Sequence, residues 1–428
     1  MSILIKQGTL LMGSPGTQTL EVGDIRIEDT RIQALGSDLT PQAEDEVIEA
    51  QGRLVAPGLV DLHVHLREPG REDEETIITG AEAGAAGGFT TIVCMPNTSP
   101  PLDSGPAVLA IHSRALHAPI RVIPVGCVSK GRDGRELAEI GELVEAGIWG
   151  ISDDGSPIMD SELMRRALEY SRPFGIPVIS HAEDPKLVGQ GVMHEGFMST
   201  ILGLTGIPAE AESIMVARDV LLAKATGAWL HVAHVSTKES VSMIQAAKAE
   251  GVKVTCEVTP HHLVLTDEAV KDFDTNTKVN PPLRSQDHVE VLRTALASGV
   301  IDCIATDHAP HSWEEKDCDY DQAEFGLIGL ETALPVLLTH LVDSGVIDLY
   351  TLWDRISYGP ASLLGLEDHG LQVGNRADIV IVDLEREKVV DPAKGRSLSQ
   401  NTPFAGAKLT GWPVVTIANG KVVFREVI

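Results

Sequence analysis

Histidine and aspartate residues recur at the ends of five apolar, strand-like segments of the chain. They are Asp61, His63 and His65, then Asp153 and Asp154, then His181 and Asp184, then His234, and finally Asp307, His308 and His311. Imidazole nitrogens and carboxylate oxygens are the ligands of catalytic zinc, and manganese or cobalt is compatible with the same set. Even four imidazoles and two carboxylates exceed the needs of one tetrahedral zinc ion. The pattern therefore predicts two metal ions that share a bridging carboxylate.

The spacing within these groups narrows the choice of ligands. One residue separates His63 from His65, and side chains alternate along a strand, so both imidazoles should face the same side. The same alternation places Arg67 on that face, where its guanidinium could bind a substrate carboxylate through two hydrogen bonds. Asp153 and Asp154 are adjacent, and the local sequence leaves open which of them bridges the metals.

The middle of the chain alternates apolar strand runs with helical stretches rich in Ala, Glu and Leu. The predicted strands are Leu59–Leu66, Thr90–Met95, Arg121–Val128, Ile148–Ser152, Pro177–His181, Ala228–Val235, Lys253–Val258 and Ile301–Thr306. Eight such strands favour an α/β fold of the closed parallel (β/α)8 TIM barrel type over residues 56–365. Barrel enzymes build their sites at the carboxyl ends of the strands, which is where the histidines and aspartates lie.

Both ends of the chain consist of short strands separated by Gly and Asp. We expect residues 1–55 and 366–428 to form one small β-sandwich domain, discontinuous in sequence and interrupted by the barrel. Near the C-terminus, Asn419-Gly420 between two apolar runs predicts a hairpin turn.

Composition excludes several classes of partner and compartment. The net charge of −28 repels phosphate backbones and anionic lipid head groups, so neither nucleic acid nor membrane is an expected partner. Five cysteines occur without a CxxC pair, which indicates a reducing compartment. No run approaches the length of a membrane span, and no signal peptide is recognisable. We therefore expect a cytoplasmic protein.

Longer strings around these residues resemble a known family. HVHLREPG, MPNT, SDDG, HAED, TPHHL, VNPPLR and TDHAPH, together with the C-terminal VGNRADIVIVD and NGKVV, are similar to the dihydroorotase branch of the amidohydrolase superfamily, in its bacterial class I form. These strings occur in the family's order and extend over nearly the whole chain.

The resemblance implies a ligand set for two zinc ions per chain. His63, His65 and Asp307 would hold one zinc, His181 and His234 the other, and a hydroxide would bridge them. Many relatives also bridge their metals with a carbamylated lysine, but Gly147–Gly155 contains none. In the bacterial type an aspartate takes that place, and its spacing to His181 favours Asp154. Asp307 would act as general base for the hydroxide and as general acid toward the leaving nitrogen.

The resemblance also implies residues that bind the substrate. Besides Arg67, they are Asn97, Asn280, His311 and the backbone of Phe325-Gly326. Residues 313–325 follow the last predicted barrel strand, and they fit a mobile lid as well as an ordinary solvated loop.

The implied reaction is the reversible cyclisation of N-carbamoyl-L-aspartate to L-dihydroorotate in pyrimidine biosynthesis. Two other interpretations stay open at this point. A sibling cyclic amidohydrolase, such as a dihydropyrimidinase, hydantoinase or allantoinase, would use the same metals without a carboxylate clamp. A non-catalytic scaffold for aspartate transcarbamoylase would lack metal ligands, which this chain retains. A catalytic chain that docks on that transferase, or that forms a homodimer, is compatible with the sequence.

Overall fold

A computed structural model describes residues 2–426. Its strands are β1 Ser2–Met12, β2 Thr19–Glu28, β3 Arg31–Gly36, β4 Asp45–Glu49, β5 Leu54–Pro57, β6 Leu59–Val64, β7 Phe89–Cys94, β8 Arg121–Pro124, β9 Val178–Ser180, β10 Met193–His194, β11 Gly206–Ile207, β12 Leu230–Val232, β13 Val254–Val258, β14 Cys303–Ile304, β15 Ile379–Val389, β16 Lys408–Ala418 and β17 Lys421–Arg425.

Helices separate most of the central strands. They are α1 Ile77–Ala86, α2 Gly105–Ala115, α3 Ile140–Glu145, α4 Ser161–Ser171, α5 Pro185–Val188, α6 Phe197–Leu202, α7 Glu210–Thr226, α8 Lys238–Ala249, α9 Pro260–Val264, α10 Gln286–Ser298, α11 Trp313–Lys316, α12 Ala333–Leu337, α13 Leu349–Trp353 and α14 Gly359–Leu363. Within residues 2–426 no helix is both long enough and apolar enough to cross a membrane.

The central strands are parallel and form two sheets joined by single bridges. One sheet has the order β6-β7-β8 and the other β9-β12-β13-β14. Ile151 makes parallel bridges to Gly126 and Val178, and Val64 makes one to His308, so both pairs of sheet edges are linked. Every residue of β6 and β7 is buried, as expected for parallel strands covered on both faces. The predicted α/β class is confirmed.

The strand predictions differ from the structure in length. Ile148–Ser152 was expected as a strand, but in it only Ile151 forms ladder bridges. The first strand was expected to run to Leu66, but β6 ends at Val64. Beyond it, the Arg67 side chain donates a hydrogen bond to the Pro310 carbonyl. Apolar runs therefore located the central strands but not their ends, which depend on contacts between segments distant in sequence.

Strands from both chain ends share one hydrogen-bonded sheet. Its order is β17-β16-β15-β5-β1-β2-β3, with β4 paired to β1, and β5 pairs antiparallel with β15. The predicted hairpin is present, with Asn419 and Gly420 both at positive φ between β16 and β17. Trp353 of α13 is fully buried and donates from Nε1 to the Pro57 carbonyl over 3.1 Å, which ties the helical layer to this sheet.

Candidate metal centre

Asp154 lies at the centre of the histidine cluster at the carboxyl ends of the parallel strands. Its Oδ1 is 3.5 Å from His63 Nε2 and 3.4 Å from His181 Nδ1, and its Oδ2 is 3.6 Å from His65 Nε2. His234 Nε2 lies 3.8 Å from the same Oδ1. One carboxylate therefore contacts four imidazoles that come from three segments of the chain.

Two groups of candidate ligands share this carboxylate. His63, His65 and Asp154 form one group and Asp154, His181 and His234 the other, with the ligand atoms of each within 4.8 Å of one another. Asp307 joins the first group, because its Oδ1 is 3.0 Å from His65 Nε2. The structure thus brings together all the residues that the sequence suggested as metal ligands.

Unpartnered atoms inside the cluster fit a cation. His63 Nε2 and Asp154 Oδ1 are buried without a hydrogen-bond partner, although they lie 3.5 Å apart. Burying polar atoms without partners costs free energy, and a metal ion bound between them would remove that cost. Imidazole and carboxylate donors are the chemistry that zinc accepts.

The electrostatics of the cluster are those of anions and imidazoles in close contact. Burial opposes the charged form of His63, but Asp154, Asp307 and Glu257 outweigh it and raise the pKa of His63 well above its usual value. Burial likewise opposes ionisation of Asp154, yet His63 and the other histidines hold its pKa well below the usual range. For His181 the carboxylates outweigh burial and raise the pKa to about 10. Metal binding must therefore displace protons from this cluster.

Asp153 and Asp154, between which the family resemblance favoured Asp154 as the bridge, point to different partners. Asp153 Oδ1 accepts hydrogen bonds from the backbone N–H groups of Val128 and Ser129, over 2.8 and 3.1 Å, and its Oδ2 accepts from the Ser129 hydroxyl. Asp153 is thus committed to the loop after β8, whereas Asp154 faces the histidines.

Three site residues have left-handed backbone conformations. They are Arg67, His234 and Asp307, at φ values of 60, 32 and 51°. Such conformations cost of order 1–3 kcal/mol each in residues other than glycine and cluster at functional sites. Arg67 lies three residues beyond the end of β6, so its left-handed backbone, rather than the strand alternation assumed from the sequence, sets the direction of its side chain.

Asn97 and Asn280 contact ligand histidines. His65 Nδ1 is 2.9 Å from Asn97 Oδ1, and Asn280 Nδ2 is 3.5 Å from His181 Nε2. Donation from His65 Nδ1–H to Asn97 leaves the Nε2 lone pair directed at Asp154 and Asp307. Both asparagines are half-buried at the mouth of the cluster.

Arg67 and His311 form a second cluster at the site mouth. Arg67 Nε lies 3.0 Å from the Pro310 carbonyl and 3.2 Å from the buried Glu74 carboxylate, and its Nη2 lies 3.2 Å from His311 Nε2. Burial and the Arg67 charge lower the pKa of His311 to about 3. Neutral His311 donates from Nδ1 to Glu315 Oε2 over 2.8 Å, which leaves Nε2 to accept from Arg67.

Phe325 and Gly326 lie against the same histidine. The Phe325 carbonyl is 2.9 Å from His311 Nε2. Gly326 has φ 141°, and a Cβ there would come within 2.8 Å of the Ala309 Cβ and 2.9 Å of His311 Nε2. Only glycine fits this approach. The residues suggested for substrate binding thus occupy two places, Asn97 and Asn280 beside the histidines and the others around Arg67.

Glu257 is a site residue that the sequence reading did not single out. Its Oε1 is 2.7 Å from His63 Nδ1, it is buried, and the histidines hold its pKa at about 2 despite the burial. The available signal was a lone glutamate within the apolar run Val254–Val258, where a charged residue requires a buried partner.

Comparison with known proteins gives one family. Residues 52–240 match the family model for dihydro-orotase-like proteins. A dihydroorotase of Pelotomaculum thermopropionicum is 51% identical over 426 residues, covering 100% of this chain and 99% of the relative. A dihydroorotase of Geotalea daltonii is 50% identical, with 100% of both chains covered.

Similar solved structures come from sibling enzymes. The L-hydantoinase (dihydropyrimidinase) of Arthrobacter aurescens matches with a TM-score of 0.88 at 30% identity, covering 100% of this chain and 97% of that one. The dihydropyrimidinase of Brevibacillus agri matches with a TM-score of 0.85 at 26% identity, covering 99% and 95%. The fold is therefore shared with these enzymes at much lower sequence identity.

Proposed function

The chain belongs to the dihydroorotase family, and from this premise we propose that its histidine–aspartate cluster interconverts N-carbamoyl-L-aspartate and L-dihydroorotate as a zinc-dependent cyclic amide hydrolase. The observation that carries the proposal is a shared carboxylate, Asp154, contacted by four histidines, beside an arginine suited to a carboxylated ring. This step belongs to pyrimidine biosynthesis.

The proposed metal centre holds two zinc ions per chain. His63, His65 and Asp307 would hold one ion, His181 and His234 the other, and Asp154 would bridge them. Bound zinc would polarise the amide carbonyl and generate a nucleophile from water near neutral pH. We further infer that the eight parallel segments close into a TIM barrel, which the bridges Val64–His308 and Gly126–Ile151–Val178 support.

Asp307 is proposed to carry the proton. Its side chain keeps 13% of its surface exposed, against 5% for Asp154, so it is the more accessible of the two carboxylates. During hydrolysis water oxygen bonds to the amide carbon, and Asp307 takes the proton that the water releases. The C–N bond breaks as Asp307 returns that proton to the nitrogen. Ring closure follows the same path in reverse.

Arg67 is proposed to select the substrate. Its Nε donates to the Pro310 carbonyl and its Nη2 lies 3.2 Å from His311 Nε2, so Arg67 and His311 would bind the ring carboxylate together. Asn97, Asn280 and the Phe325-Gly326 backbone would help to hold the substrate. Hydantoin and dihydrouracil lack this carboxylate, so the clamp favours dihydroorotate over the substrates of the structural relatives.

The test is hydrolysis of L-dihydroorotate by the purified protein after metal removal and after zinc is restored. We expect activity to disappear with the metal and to return at about two zinc ions per chain. Turnover of hydantoin or dihydrouracil without turnover of dihydroorotate would instead assign the chain to a sibling activity.

Changing Arg67 separates substrate choice from metal binding. Loss of a charged hydrogen-bonding partner costs about 1.5–3 kcal/mol, so Arg67→Gln should raise KM for dihydroorotate about 10–100-fold. Zinc content should stay unchanged. Arg114→Gln is the control, because this half-exposed arginine pairs with Glu68 at the protein surface.

Compartment and assembly are proposals of the same kind. Five free cysteines, four of them buried, support a cytoplasmic location. Association with aspartate transcarbamoylase, or between two copies of the chain, would be detected by co-elution and by the mass of the purified protein in solution. We also propose a division into a barrel at 56–365 and a β-sandwich from 1–55 and 366–428; the sheet that joins both chain ends supports their assignment to one domain.

A further inference from the structure

A buried hydrogen-bond network leads from His63 away from the metal cluster. Glu257 Oε1 is 2.7 Å from His63 Nδ1, and its Oε2 is 3.1 Å from His231 Nε2. His231 Nδ1 is 2.8 Å from Thr255 Oγ1, which lies 2.8 Å from Trp229 Nε1. His63, Glu257 and His231 are at most 1% exposed, so solvent does not compete for these bonds.

With a neutral His231, the protons of this hydrogen-bond network can be placed in only one way. Trp229 Nε1 can only donate, so Thr255 Oγ1 accepts from it and donates its own proton to His231 Nδ1. His231 then carries its proton on Nε2 and donates to Glu257. The ionised carboxylate accepts a second time, from His63 Nδ1–H. Once metal binding displaces the Nε2 proton of His63, the Nε2 lone pair is directed into the metal cluster, where that atom has no hydrogen-bond partner.

We propose that Glu257, oriented by His231 and Thr255, is a positioning residue that fixes the tautomer and ring orientation of His63 for metal binding. The inference rests on the proposed metal centre and extends it to residues that contact neither metal nor substrate. A carboxylate that accepts from the outer nitrogen of a ligand histidine also makes the inner nitrogen a stronger ligand.

The network ends at the opposite, amino-terminal end of the parallel strands. Trp229 directly precedes β12, and Thr255 is the second residue of β13, whereas His63 and His234 lie where their strands end. Trp229 and Thr255 are half-buried. A change at the amino-terminal side of the strands should therefore alter zinc binding at the carboxyl side.

Zinc affinity, measured by competition with a chelator, tests the inference without substrate. The variants are Glu257→Gln, Thr255→Val and Trp229→Phe. Trp149→Phe is the matched control: Trp149 packs edge-on against Trp229 and His231, at 6.1 and 6.0 Å, but its Nε1 donates to the Leu363 carbonyl. Phenylalanine keeps a ring against both partners and removes only a hydrogen bond that is not part of the series from Trp229 to His63. Thermal unfolding of each metal-free variant is measured alongside, since a purely structural role would change stability alone.

We expect Glu257→Gln to weaken zinc binding about 10–100-fold, as loss of such a partner usually does. Thr255→Val and Trp229→Phe should weaken it less, and Trp149→Phe not at all. If Glu257→Gln fails to fold, the half-buried Thr255 and Trp229 variants carry the test. Zinc affinity in Thr255→Val equal to that in Trp149→Phe would overturn the proposal, whatever happens to stability. If the wild-type protein binds zinc but does not hydrolyse dihydroorotate, the proposed function is contradicted, whereas this inference about zinc binding is not.

Discussion

At the scale of single residues, two adjacent aspartates have different structural roles in the site. Asp154 contacts the histidines, while Asp153 accepts three hydrogen bonds from the loop after β8. The two side chains have the same chemistry and differ only in direction, so their substitutions form a matched pair.

Asp154→Asn should lose zinc and activity together, because an amide is a weak metal ligand and cannot bridge two ions. Zinc affinity should fall by more than the factor of about 10–100 that is typical when a hydrogen-bond partner of a metal ligand is removed. Asp153→Asn should keep its zinc but unfold at a lower temperature. Zinc analysis by atomic emission, together with thermal unfolding, distinguishes the two. Full zinc occupancy in Asp154→Asn would contradict the proposed bridge.

The raised pKa of His181 gives a second expectation at this scale. Below its pKa of about 10 the metal-free imidazole is protonated, and zinc must displace that proton. The apparent zinc affinity should therefore rise with pH through the neutral and alkaline range and level off near 10. Calorimetry in buffers of different ionisation enthalpy would detect the released protons. An affinity that is flat above neutral pH would contradict this reading of the cluster.

At the scale of elements, the segment between the last parallel strand and α12 borders the substrate clamp. Glu315 of α11 receives the His311 Nδ1–H and pairs with Arg71, while Lys316 donates to the carbonyls of Thr275 and Glu324. These contacts hold residues 313–325 at the site mouth, which is compatible with both alternatives left open by the sequence, a closed lid and an ordinary loop.

Glu315→Gln should loosen this segment, because the amide replaces the charge that pairs with Arg71. We expect faster amide hydrogen exchange across 313–325 and a KM for dihydroorotate raised several-fold, by the about 1 kcal/mol of one hydrogen bond. Glu314→Gln is the control, since Glu314 is exposed. Equal exchange in both variants would assign the segment to an ordinary loop.

The sequence predicted the ligands better than the geometry that orients them. Histidine and aspartate at strand ends are visible as types and spacings, so every proposed ligand was among the residues that the sequence singled out. The backbone conformation at Arg67 and the partnership of Glu257 with His63 could not be predicted, and the preference for Asp154 over Asp153 came only from the family resemblance. Each depends on backbone conformation or on contacts between different parallel strands, which no local sequence pattern encodes.

At the scale of the whole molecule, the helical layer and the sheet of the chain ends meet at Trp353. Its indole is fully buried and donates to the Pro57 carbonyl at the end of β5. Pro57 is followed after one residue by β6, which leads to His63 and His65. The packing that secures the sheet thus also secures the start of the first metal-bearing strand.

Trp353→Phe should destabilise the protein by removing this hydrogen bond and leaving a small cavity. We expect a cost of about 1–3 kcal/mol, seen as a lower midpoint of thermal unfolding, with little change in kcat for the protein that stays folded. Trp313→Phe is the control, since Trp313 is 75% exposed. Equal midpoints for both variants would contradict the role given to Trp353.

The pairing of β5 with β15 bears on how the protein is made. Val55 faces Ile381 in that ladder, so one edge of β5 lacks its neighbour until almost the entire polypeptide has been synthesised, although β1 to β5 can already pair with one another. Translation from the N-terminus would complete the parallel strands first and the terminal sheet last. A nascent chain stalled before residue 379 should expose the open edge of β5, where a chaperone that recognises unpaired strands would bind it.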